Sequence, residues 1–98
     1  MVQQQLLERS VAEEYASWFR ALADPTRVQI VEYLARQARP MSVGELVTAV
    51  GLAQSTVSQH LKVLKESGLV QGEIDGPKVC YCVNPAVLAR LKELVAAL

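Results

Sequence analysis

Apolar side chains recur near the start of the chain at Leu7, Val11, Tyr15, Trp18 and Leu22. Steps of three and four place them in one stripe and predict a helix over residues 3 to 22. Asp24-Pro25 then punctuates the chain, because Asp caps a helix and Pro suits its first turn. A second helix is predicted from there to about Gln37. Its apolar residues Val28, Ile30, Val31, Leu34 and Ala35 cover more than one face, which predicts the most buried helix, and Arg39-Pro40 ends it.

Residues 42 to 69, SVGELVTAVGLAQSTVSQHLKVLKESGL, read as two short helices around a tight turn. Ser42 is an N-cap with Glu45 as its capping-box partner, and Leu46 and Val50 mark one face up to the break at Gly51. The next helix spans about 54–67. On a wheel of about 100° per residue, Val57, Leu61 and Leu64 form the core face and His60 lies on its flank. The opposite face collects Ser55, Gln59 and Lys62, with Ser58 beside them. These hydrogen-bonding side chains, without the Glu-Lys pairing of an ordinary solvated helix, suit a DNA major groove.

Gly68 closes that helix, and QGEIDGPKVCYCVN reads as a hairpin turning at Asp75-Gly76-Pro77, a wing over about 70–83. Asn84-Pro85 starts a last helix with Val87, Leu88, Leu91, Leu94, Val95 and Leu98 on one side and Arg90, Lys92 and Glu93 on the other. The expected fold is mainly α: one winged helix-turn-helix domain over 1–98, with a two-stranded β-hairpin wing and extra N- and C-terminal helices for dimerisation. A twofold dimer would set its reading helices about one DNA turn, ~34 Å, or a multiple apart and would read an inverted repeat in double-stranded DNA.

Composition adjusts this picture. A 51% hydrophobic content is high for 98 residues, which points to apolar surface buried against a second copy. No run is long and apolar enough to span a membrane, and MVQQQLLERS lacks the regions of a secretory signal, so a cytoplasmic protein is expected. Ten basic residues balance ten acidic ones, which argues against holding DNA by bulk charge. Affinity would have to come from two half-sites and base-edge contacts.

ALADPTRVQIVEYL, VGELVTAVGLAQSTVSQHLKVLKESGLV and the hairpin ending VCYCVNP together resemble the ArsR/SmtB family of metal- and metalloid-responsive bacterial repressors, over roughly residues 15 to 95. The resemblance implies a homodimeric repressor that leaves its operator when an effector binds. It also implies that Gln54, Ser55, Ser58 and Gln59 meet DNA and that Lys78 is the basic wing tip. Thr56 either bonds a phosphate or only completes the first turn. His60 is read as packing before DNA contact or metal ligation.

Two departures matter. The thiols that some family members carry in the first helix of the helix-turn-helix are absent from Glu45-Leu46-Val47-Thr48-Ala49-Val50-Gly51. The stretch from Ala86 to Leu98 has no Asp or His with which to build a C-terminal zinc site. What remains is Cys80 and Cys82, expected on one face of a strand at about 6 to 7 Å backbone separation. Such a pair can chelate a soft ion: trivalent arsenic or antimony first, since two thiolates leave zinc or cadmium short of ligands. No cofactor is required. The plainer alternative has both cysteines facing the core as small apolar residues; a redox pair is a third, disfavoured by local strain.

Two other functions stay open: the same fold with an organic effector or none, and a protein-interaction module. An enzyme is not expected, because the chain has one His and lacks a nucleophile motif or a phosphate-binding Gly-rich loop.

Overall fold

The computed structural model describes residues 6–98. The elements are α1 (Arg9–Ala21), α2 (Pro25–Gln37), β1 (Met41–Ser42), α3 (Val43–Val50), α4 (Gln54–Ser67), β2 (Val70–Asp75), β3 (Lys78–Val83) and α5 (Pro85–Ala97). Helix starts follow the capping chemistry. Asp24 accepts from the N–H groups of Thr26 and Arg27, Ser42 and Glu45 form a reciprocal capping box, and Asn84 accepts from Ala86 and Val87. Gly51 and Gly68 end α3 and α4 in the left-handed region (φ 77° and 86°), where a side chain would be strained.

Two expectations are corrected. The first helix starts at Arg9: Leu7 precedes it and is exposed, no side chain caps the start, and residues 3 to 5 lie outside the described residues. Val28 and Ala35 are exposed, so α2 buries only Ile30, Val31 and Leu34, no more than α4 buries with Val57, Leu61 and Leu64. The two-stranded hairpin wing is present as expected in β2 and β3, and β1 adds a third strand to it in the order β1-β3-β2, because Met41 and Ser42 pair with Tyr81 and Cys80. Met41 is buried in the core, which holds this short strand in place.

The core gathers Trp18 and Ala21 of α1, the inner faces of α2 and α4, Leu46, Leu69, Val70 and Leu91. The end helices meet over Arg90, whose guanidinium bridges to Glu14 and lies over the Tyr15 and Trp18 rings at 5.7 and 5.3 Å. Arg90 therefore belongs to the α1–α5 contact and not to a free polar face. Phe19, Val95 and Leu98 remain exposed on these two helices or at their ends. Among the described residues no helix is long and apolar enough to cross a membrane.

Candidate nucleic-acid interface and thiol pair

Burial of Val57, Leu61 and Leu64 fixes which way α4 faces. The side chains of Gln54, Ser55, Thr56, Ser58, Gln59 and Lys62 are consequently all exposed along its outer side and first turn. Planar amides and hydroxyls there can both donate to and accept from base edges. Ala53, in extended conformation before the helix, offers no side-chain cap, so no capping side chain satisfies the first-turn amides of α4. A phosphate oxygen is one acceptor with the chemistry to satisfy such amides. The missing cap is a feature that reading side chains for groove contacts passes over, although Ala in place of Ser, Thr, Asp or Asn before Gln54 signals it.

Packing holds α4 at its C-terminal end and at its middle. Trp18 Nε1 donates to the Ser67 carbonyl at 3.0 Å, satisfying one of the carbonyls a helix end leaves open. Arg27 donates from Nε to the Ala21 carbonyl at 2.6 Å and from Nη1 to His60 Nδ1 at 3.3 Å. His60 is thus half-buried and engaged inside the protein. Lys78 stands exposed at the wing tip, paired in register with Asp75 across the turn at Gly76. The ion pairs formed among the described residues use Arg36, Arg39 and Arg90, and none involves Lys62 or Lys78.

Cys80 and Cys82 are both free and half-buried on β3. Tyr81 and Val83 pack against the core, so alternation along the strand turns the two thiols to the opposite face, beside Glu73 and Gln71 of β2. This placement differs from the core-facing alternative. Burial, with the Glu73 carboxylate adding to it, pushes the Cys82 thiol up from its ordinary pKa. Cys82 lines a cleft of about 420 Å³ together with Leu34, Pro40, Gln71, Glu73 and Arg39. Among the described residues no third His, Cys, Asp or Glu joins the pair in a metal-binding group.

Arg39 was legible in the sequence only as part of a helix stop. Its Nη2 donates to Glu45 Oε2 at 2.7 Å, while Glu45 Oε1 accepts from the Ser42 amide at 3.2 Å. The guanidinium, followed by the Ser42 amide, holds the Glu45 carboxyl below the usual carboxylate range. The partners of Arg39 are distant in local pattern, so no periodicity could have found it.

Residues 24–71 match the bacterial regulatory protein, arsR family. The chain is 39% identical over 83 residues, 85% of its length, to a probable mercury resistance operon repressor of Streptomyces lividans, spanning 65% of that protein. It is 44% identical over 83 residues to the transcriptional repressor SmtB of Mycobacterium tuberculosis, spanning 60% of that protein. The chain thus covers less than two thirds of the length of both. Its fold matches the homodimeric winged helix-turn-helix DNA-binding domain (fragment 1–100) of a Mycobacterium bovis protein with a TM-score of 0.76 and 32% identity, over 99% of this chain and 88% of that one.

Proposed function

The chain belongs to the arsR family of bacterial regulatory proteins, and from that premise we propose that it is a homodimeric transcriptional repressor that reads an inverted-repeat operator. The observation that carries this reading is the outer side of α4. Gln54, Ser55, Ser58 and Gln59 enter the major groove, Lys62 and Thr56 hold phosphates with the uncapped first turn, and Lys78 reaches the flanking backbone. Repression is supported by what the Streptomyces and Mycobacterium relatives are named for. Dimerisation through the end helices is supported by the exposed Phe19, Val95 and Leu98 and by the homodimeric M. bovis domain.

The effector in this reading is a thiophilic ion held by Cys80 and Cys82. Two adjacent thiols on an outer strand face, which form no three-ligand metal group with neighbouring Glu73 or any other donor among the described residues, suit trivalent arsenic or antimony better than zinc or cadmium. The mercury-resistance relative keeps mercury(II), another ion content with two thiolates, in the panel. Operator affinity measured with and without arsenite, antimonite, mercury(II), zinc and cadmium, for the wild type and Cys80→Ser/Cys82→Ser, tests both halves. Release by an ion in the wild type only supports the sensor. Release by no ion, or equal release from the double variant, removes it and leaves the repressor standing. Failure to retard any fragment of its own promoter region at low salt removes the repressor as well.

A further inference from the structure

The thiol pair lies outside the helix-turn-helix, yet two residues join it to the first helix of that motif. Ser42 is the cross-strand partner of Cys80 and at the same time the N-cap of α3. Its Oγ accepts from the Glu45 amide at 3.2 Å. Arg39 lines the cleft beside Cys82 and Glu73 and carries the ion pair to Glu45. A third shared element is Glu45 itself, which takes the Ser42 amide on one oxygen and Arg39 on the other.

Resting on the effector reading of Cys80 and Cys82, we propose that Arg39 and Ser42 are the positioning residues that transmit thiol occupancy to α3. An ion bridging the two sulfurs needs room above the outer face of β3, where Arg39 borders the cleft. It also draws the two side chains together, which twists β3 against its two-residue partner β1. Both changes act on the capping box of α3: one removes Arg39 from Glu45, the other shifts Ser42 from its N-cap position. α3 packs against α4, so a loosened start of α3 changes how α4 is presented to DNA. The Arg39–Glu45 pair is half-exposed and contributes little by itself, so the β1 register and the cap must move with it.

The test compares the ratio of operator Kd with and without ion across four proteins: wild type, Arg39→Gln, Ser42→Ala and the double variant. Cadmium and arsenite are the probes. Protection of the two thiols from a disulfide reagent reports ion binding separately from DNA release. The expected result is unchanged thiol protection in all four, with a wild-type ratio of about tenfold, within the usual span of allosteric coupling, falling to about threefold or less in the double variant. Far-UV circular dichroism establishes that each variant is folded, and Arg39→Lys, which keeps the charge and the reach to Glu45, should restore most of the ratio. A double variant that binds ion and releases DNA like the wild type overturns this route while leaving the sensor intact. Absence of thiol protection in the wild type overturns the sensor and, with it, the route.

Discussion

The sparseness of unpaired cations on the reading face makes a quantitative prediction about salt. On α4 and the wing only Lys62 and Lys78 stand exposed with no other assignment, since Lys65 leans toward the wing, its Nζ 3.6 Å from where a Cβ on Gly72 would lie. In the proposed complex a dimer neutralises about four phosphates through these lysines, and at about −0.9 per phosphate the slope of log K against log salt is roughly −3.6. Between 50 and 200 mM salt that is a loss of about 150-fold in affinity. Replacing Lys78 by Ala removes about two of the four, which reduces the slope to roughly −1.8 and the loss to about 12-fold. Fluorescence anisotropy of a labelled operator, titrated at four or more salt concentrations, measures both slopes. A wild-type slope steeper than about −5.4, the value for six phosphates, would mean that cations outside α4 and the wing carry the complex. An unchanged slope in Lys78→Ala would take the wing off the DNA.

Two further outcomes follow from the packing. Trp18→Phe keeps an aromatic ring in the core but leaves the Ser67 carbonyl without its donor, at a cost of about 1–3 kcal/mol. For a domain of this size that is a fall in thermal midpoint of roughly 5–20 °C, read by far-UV circular dichroism at fixed protomer concentration; a shift under about 2 °C would mean that the bond contributes nothing. Acid should destabilise the fold through Asp24, Glu32 and Glu45. Each carboxyl is held below its ordinary value: Asp24 first by the Arg27 amide, Glu32 by the Arg36 side chain and Glu45 by the Arg39 side chain. The unfolded chain therefore binds more protons, so their stabilisation is complete above the ordinary carboxylate range of roughly pH 4 and is lost as pH falls through the lower folded values. The midpoint should be flat from about pH 7 to 5 and fall below about pH 4. Glu45→Gln should lessen that fall, and an acid limb unchanged in this variant would show that the capping box does not titrate with folding.

Helices were legible where periodicity met a cap. Asp24, Ser42 and Asn84 mark the starts of α2, α3 and α5, and the stripe of Val57, Leu61 and Leu64 identifies the inner face of α4. The start of α1 was not, because periodicity defines a face and leaves the boundary to a cap that Glu8 does not supply. β1 escaped because two residues have no period, and its pairing depends on Tyr81 and Cys80 far along the chain. Strand alternation placed Cys80 and Cys82 on one face, yet which face that is depends on Tyr81 and Val83 taking the core side. The apolar positions Val28 and Ala35 misled for the converse reason: residue type was read as burial within one chain, while both lie on its surface.

The balanced charge of this chain also bears on how a protein acting as proposed would be distributed in a cell. A repressor that leans on phosphates spends most of its time on irrelevant chromosomal DNA, and enough copies must be made to saturate that reservoir. With only Lys62 and Lys78 exposed without another assignment on α4 and the wing, a dimer acting as proposed would be held only weakly by the reservoir. A small number of molecules would then keep a promoter occupied, a released dimer would return to solution instead of sliding nearby, and gene output would follow changes in effector level with little lag.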